Sequence, residues 1–325
     1  MARVARDAAV SISTVSKVLN GRPGVSAAVR ERVERALDQH GYSPRGDAQR
    51  MATVDVVVPQ LETDWMLEIL RGLEQEASAR GLALVLTPAV DPSPAGKEWV
   101  ERVIEHKSRA VVVVFEPVSA AQQARLRHRG FPFVVLDPAG TPGGDVASVG
   151  SQNWPGGWAV ADHLLALGHR DIAVIGRQGG PLWWRARYSG FVSRLEQEGL
   201  EIKPEYIRSG DFRVPDGLVQ GQALLRLPEP PTAIFAGADL QAVGVYEAAR
   251  QLGVRIPEDL SVVGYDDLPI AEWISPALTT VRQPIRKMAA TAVRMALEPA
   301  TGQANLALAT ELVIRESTGQ LKRSR

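Results

Sequence analysis

The 325-residue chain has no cysteine, which removes disulfides, thiolate metal sites and a cysteine nucleophile and is compatible with a reducing compartment. Histidine is scarce. His40, His106, His128, His163 and His169 fall in or beside expected helices, and none has the spacing of a metal site or a nucleophile's partner. No GxGxxG follows a strand and no GxxxxGKS/T loop occurs, so nucleotide-dependent chemistry finds no support. No run is long and apolar enough to span a bilayer, and no long apolar core follows the basic residues at the N-terminus. Neither a membrane protein nor an exported one is expected; a cytoplasmic protein without catalytic residues, metal or cofactor is.

What is present is ordinary in amount and uneven in place. Hydrophobic residues make up 45% and charged residues 23% of the chain, as in soluble globular proteins. The length exceeds what one compact core usually serves. The formal net charge of zero hides an asymmetry, because residues 1–50 hold nine Arg and Lys against five Asp and Glu. A polyanion would dock at that basic end.

Residues 1–42 read as three helices: about Arg3 to Ala9, Ile12 to Leu19, and from an N-cap at Ser26 to about His40. Val29, Val33, Ala36 and Leu37 form a stripe on the third that can cover the other two. Two short helices joined by Val10-Ser11 fit a helix-turn-helix. The second leaves Ser13, Thr14, Ser16, Lys17 and Asn20 available to base edges and phosphates while Val15, Val18 and Leu19 face inward. Residues 43–53, with Pro44, Gly46 and Asp47, read as a linker in which Ala48 to Ala52 form one turn at most. From Val54 to Arg325, apolar runs (VDVVV, LALVL, AVVVV, FVVL) alternate with amphipathic helices, and a second series follows (DIAVI, TAIF, LSVVGY). This predicts two similar lobes, each a parallel sheet covered by helices.

The segment VARDAAVSISTVSKVLNGRPGVSAAVRERVERALDQHGYSP resembles the headpiece of the lactose-repressor (LacI/GalR) family. The resemblance continues through VGSQNWPGGWAVADHLLALGHRDIAVIG, RYSGF, GDF, FAGADLQAVG, IPEDLSVVGYDD and LTTVRQP. It implies a ligand-responsive transcriptional regulator, a repressor binding a palindromic double-stranded operator as a homodimer. Its fold would be an all-α helix-turn-helix headpiece on a two-lobed, doubly wound α/β domain of the periplasmic-binding-protein type. Ile12, Ser13 and Lys17 would enter the major groove. Residues 43–53 would form a hinge helix with Met51 as its minor-groove wedge. The sequence departs from the family at Ala9, where a glycine is common, at Arg45-Gly46-Asp47, and in a lead of only Met1-Ala2-Arg3, for which a misassigned start and a short first helix are the two readings.

The same resemblance implies an effector site between the lobes, at the C-terminal ends of the strands. Arg187 can bridge two hydroxyls, and Asp137 and Asp266 can accept from them. Trp65, Trp184 and Phe212 would stack on the ligand, with Asp239 beside it. Trp183 and Trp273 are equally compatible with cleft or packing roles, whereas Trp99, Trp154 and Trp158 are expected in cores. Gly156-Gly157 is expected to let a helix pack closely. Ala238 removes an amide common before Asp239 in the family, and Gln152 replaces a frequent aspartate. The expected effector is a sugar, xylose-type or a short oligosaccharide; a purine or a phosphorylated metabolite is the alternative. A sugar-binding protein or an enzyme on the same fold is the reading of a different class, and the basic headpiece counts against it.

Overall fold

A computed structural model describes residues 2–19, 24–39, 52–59, 61, 63–89, 98–140, 146–298 and 305–321, with backbone alone for residues 19, 27, 38 and 39. Asn20, Met51 and residues 43–51 of the expected hinge lie outside the described residues. The chain divides into two compact units, 1–52 and 53–325.

The first unit is helical: α1 (Ala2–Asp7), α2 (Ile12–Leu19) and α3 (Ala27–Gln39). Its core joins Val4, Ala5 and Ala8 to Val15 and Val18 of α2 and to Val33, Ala36 and Leu37 of α3. Ala9 sits past α1 with φ 51°, a left-handed conformation that a Cβ makes unfavourable. The turn therefore uses the geometry that a glycine would supply without strain. Ser11 starts α2 by accepting the Thr14 amide at 3.1 Å, a cap that satisfies one free donor of the first turn.

The second unit holds two six-stranded sheets. Lobe 1 has β1 (Thr53–Val58), β2 (Ala83–Pro88), β3 (Ala110–Val114), β4 (Phe133–Leu136), β5 (Ser148–Ser151) and β11 (Asn305–Leu308). Its strands are all parallel in the order β11-β5-β4-β3-β1-β2. The helices α4 (Asp64–Ala79), α5 (Trp99–His106), α6 (Ala120–His128) and α12 (Ile285–Leu297) belong to it. Lobe 2 has β6 (Ile172–Gly176), β7 (Ile207–Ser209), β8 (Ala233–Ala236), β9 (Ser261–Asp266), β10 (Thr279–Arg282) and β12 (Glu311–Val313). Their order is β12-β10-β9-β8-β6-β7, parallel except at β12. With them go α7 (Asn153–Ala166), α8 (Leu182–Gln197), α9 (Val214–Leu225), α10 (Asp239–Leu252) and α11 (Ile270–Trp273).

Because α12 and β11 return to lobe 1 and β12 to lobe 2, the chain passes between the lobes three times, after β5, β10 and β11. Runs such as AVVVV are buried along their whole length, as strands covered on both faces must be. Small residues set the closest approaches. A Cβ on Gly157 would stand 1.8 Å from the Arg187 carbonyl oxygen and one on Gly156 2.3 Å from the Tyr265 hydroxyl, so α7 can lie against α8 and β9 only as glycine allows. This is the close packing expected of that pair.

Candidate functional site

The strand ends that face each other across the lobes carry unusual backbone. Phe115, directly after β3, has φ 62°, Asp137, directly after β4, φ 48°, and Asp266, the last residue of β9, φ 117°. Non-glycine residues in this region cost on the order of 1–3 kcal/mol each and gather where function requires them. Here all three line one cavity of about 460 Å³ between the lobes, within the range of small-molecule sites.

Lobe 2 supplies a braced polar centre. Arg187, buried on α8, donates from Nε to Asn153 Oδ1 at 2.8 Å and from one terminal nitrogen to the Gly237 carbonyl at 2.9 Å. Its other terminal nitrogen lies 3.5 Å from Asp266 Oδ1. The guanidinium carbon is 3.6 Å from the centre of the Tyr265 ring and 4.6 Å from that of Trp183, distances at which a cation is held by an aromatic face. Gln283 joins the lobes by accepting from Ser151 Oγ at 2.6 Å and donating to Asp266 at 2.6 Å. Burial pushes the Asp266 carboxyl up to about 6, against the opposing pull of Arg187 and the Gln283 hydrogen bond.

Lobe 1 supplies flat surface and one unbraced carboxyl. Trp65, in the first turn of α4, stacks on Phe115 with ring centres 4.4 Å apart. Trp183 and Phe212 of lobe 2 meet at 4.6 Å, and Phe115 reaches Trp183 at 6.4 Å, so aromatic rings run from one wall to the other. Asp137 is buried and its carboxylate has no hydrogen-bond partner among the described residues. Burial raises it to about 7, with Arg187 opposing and Asp266 reinforcing. Among the described residues the lining holds Arg177, Arg187 and Arg213 and, in equal number, Asp137, Asp211 and Asp266.

The cleft thus brings together Trp65, Asp137, Arg187, Phe212 and Asp266. Two expected members lie elsewhere. Trp184 follows Trp183 by one helical step and turns inward: a Cβ on Gly176 or Gly237 would stand 1.7 or 2.6 Å from its ring, so the indole fills the lobe 2 core. Asp239 is fully buried beneath the loop after β9, accepting the Leu268 amide at 2.7 Å and the Thr280 hydroxyl at 2.5 Å. Burial first, and then Asp266, holds its carboxyl well above the usual range. It braces a cleft loop without lining the cleft. Trp154 also departs from expectation: it is 41% exposed and stacks on Trp158 at 5.1 Å. Trp273 is 76% exposed and belongs to neither cleft nor core.

Phe115 and Gln283 are the residues that sequence reasoning passes over. An aromatic directly after AVVVV, at a strand end, was an available signal for the first. The crossover position that lets Gln283 bridge two lobes has no local signature.

In the first unit, Ile12 is 54% exposed, Ser13 and Lys17 are exposed, Thr14 and Ser16 are half-buried, and Val15 and Val18 are buried. The Ser13 and Thr14 hydroxyls contact Ser11 Oγ at 2.7 and 2.9 Å. Among the described residues no helix is long and apolar enough to cross a membrane, and no cluster of His, Asp and Glu could hold a metal ion.

Comparison with known proteins places both units. Residues 1–45 match bacterial regulatory proteins of the lacI family, and residues 161–318 match a periplasmic binding protein-like domain. The chain is 31% identical over 306 residues to the HTH-type transcriptional repressor PurR of Erwinia tasmaniensis, spanning 92% of this chain and 90% of that protein. Among solved structures, the transcriptional regulator CelR–cellobiose complex aligns with TM-score 0.72 at 31% identity, covering 97% of this chain and 98% of that one. The lac repressor dimer bound to operator and the anti-inducer ONPF aligns with TM-score 0.74 at 26% identity, with the same two coverages. A helix-turn-helix unit, a two-lobed α/β domain with a cleft, and full-length similarity to repressors together make the chain a member of the LacI family of transcriptional repressors.

Proposed function

We propose that this repressor binds a palindromic operator as a homodimer and senses a neutral sugar, a xylose-type sugar or short oligosaccharide, in the interlobe cleft. The headpiece is residues 1–42, the hinge 43–53 and the sensing domain 54–325. Ile12, Ser13 and Lys17 enter the major groove, where Lys17 donates to guanine acceptors. Thr14, Ser16 and Asn20 fix register on phosphates, and Met51 wedges the minor groove. The solved lac repressor dimer on operator DNA supports the assembly.

The observation that carries the ligand class is the cleft walled by aromatic pairs, with as many acidic as basic side chains among its described lining. Flat rings cover the C–H faces of a sugar, while Arg187, Asp137 and Asp266 offer donors and acceptors to its hydroxyls. A phosphorylated ligand would meet two buried carboxyls beside an arginine that already has partners. The relative solved with cellobiose supports a saccharide. A thermal-shift series with xylose, xylobiose, cellobiose, purine bases and sugar phosphates tests the reading, because a cleft ligand stabilises the folded state by mass action. A neutral sugar is expected to raise the melting temperature. A rise with purines or sugar phosphates alone overturns the ligand class and leaves the regulator intact.

A further inference from the structure

A second cavity lies on the flank of lobe 2, between α8 and the edge strand β7, with a volume of about 840 Å³. Its chemistry is the reverse of the cleft's. Among the described residues its lining holds three arginines, Arg177, Arg185 and Arg208, and no carboxylate. Arg177 lies 3.4 Å from Asp211, but neither Arg185 nor Arg208 has an acidic partner among the described residues. The Nε of Arg208 is buried and donates to nothing among the described residues, a donor whose desolvation is uncompensated there. Arginine keeps its charge at any pH a protein tolerates, so the cavity cannot become neutral by losing protons.

The rest of the lining is flat and apolar or carries hydroxyls. Tyr188 on α8, its ring centre 5.9 Å from that of the buried Trp184, and the partly exposed Trp154 supply aromatic surface. The loop between β6 and α8 is tied to β7 by the Gln178 amide, which donates to Ser209 Oγ at 3.2 Å, and by the Gly210 amide, which donates to the Gly176 carbonyl at 2.7 Å. These two bonds fix the cavity wall.

We propose that this flank cavity is a second ligand site, taking a compact oxyanion, phosphate or carboxylate, carried on a flat apolar ring. Arg185 and Arg208 hold the anion and the aromatic surface takes the ring. The site adjoins the cleft without sharing its polar centre: residues 183 and 187 of α8 face the cleft, 184, 185 and 188 the flank, and Arg177 borders both.

Phenyl phosphate titrated calorimetrically into the full-length protein tests this. Saturable binding is expected with a Kd of about 1 mM or tighter, with inorganic phosphate and phenol each at least about tenfold weaker, since neither engages both halves of the site. Benzoate in parallel distinguishes the two anions, and the proposal stands if either ring-borne anion binds. The double variant Arg185→Glu/Arg208→Glu should lose at least about tenfold in affinity through charge reversal while keeping its circular dichroism and melting temperature. Trp65→Ala, on the lobe 1 wall of the cleft, should leave the affinity unchanged. The proposal is overturned if phenyl phosphate and benzoate both fail to bind, if inorganic phosphate binds as well as phenyl phosphate, or if affinity falls in Trp65→Ala and survives the arginine reversal.

Discussion

The two lobes share a strand plan and differ in how they hold their cleft residues. In lobe 2 the charged pair at the centre is tied down: Arg187 to Asn153, Gly237 and Asp266, and Asp266 to Gln283. Even the buried Asp239 behind them fixes a loop. In lobe 1 the one charged group lining the cavity among the described residues, Asp137, has no hydrogen-bond partner for its carboxylate among them, and beside it lie the Trp65–Phe115 stack, Pro59, Met66 and Thr63. Lobe 2 is therefore the preorganised half, whose geometry exists before ligand arrives. Lobe 1 adds area and a carboxyl whose charge responds to what is bound. In this account a ligand meets lobe 2 first, and lobe 1 closes on it.

The largest effect should come from breaking the braced half. Arg187→Ala leaves Asp266, Asn153 and the Gly237 carbonyl without their donor, and losing one member of a buried pair costs roughly 3–5 kcal/mol. Asp266 moderates that cost by taking up a proton. Effector affinity is expected to fall by about a hundredfold or more, since the lost donors were charged, while thermal unfolding stays cooperative. Calorimetry on the variant reads the first and a melting curve the second; wild-type affinity would show that lobe 2 does not grip the ligand.

The unbraced half should reveal itself through pH. Asp137 titrates near 7 in the folded protein against 3.8 for an unperturbed carboxyl. Its contribution to stability is therefore complete below about pH 4, declines as the pH rises to about 7, and is flat above. Asp137→Asn removes that decline. The variant should gain on the wild type across this window by up to a few kcal/mol, at about 1.4 kcal/mol per unit. Denaturation at pH 4.5 and pH 8 measures it, and equal differences at both would contradict the assignment. A sugar hydroxyl donating to Asp137 favours its charged form, so effector binding near pH 7 should release protons. Calorimetry in buffers of different ionisation enthalpy detects this.

Smaller effects sharpen the contrast. Trp65→Ala should weaken effector binding by about tenfold, the range of a lost aromatic contact, without altering the pH behaviour. Ala9→Gly, in the helical unit, should stabilise that unit by about 1 kcal/mol by relieving its left-handed backbone. Effector affinity should not change. Differential melting of the two units checks this, and destabilisation would mean that Ala9 is not strained.

How much of this could be read beforehand follows from how local each signal is. The buried strands and the helices with clear apolar stripes were legible, because burial on both faces leaves continuous β-branched runs. The short strands β5, β7, β10 and β11 were not, since SVGS or IRS has no period to detect. Helix α9 was missed because VPDGLVQGQALL carries two glycines that read as breakers. In the structure they are contact points: a Cβ on Gly217 would stand 2.0 Å from the Gln241 carbonyl oxygen, and α9 packs on α10 there. In the cleft, the family resemblance located Arg187, Asp266 and Asp137. It assigned the ligand contact to Trp184 where the structure puts Trp183 in the cleft, because adjacent helical positions differ by about 100° in direction and only the packing on Gly176 and Gly237 decides which indole turns inward.

The central claim is that occupancy of the cleft sets affinity for operator, which requires the reverse as well. The direct test titrates the stabilising sugar into the intact protein with and without an operator duplex. The account predicts that the two affinities differ by about 5- to 150-fold. Identical affinities would contradict it, even if each ligand binds where it is proposed to bind.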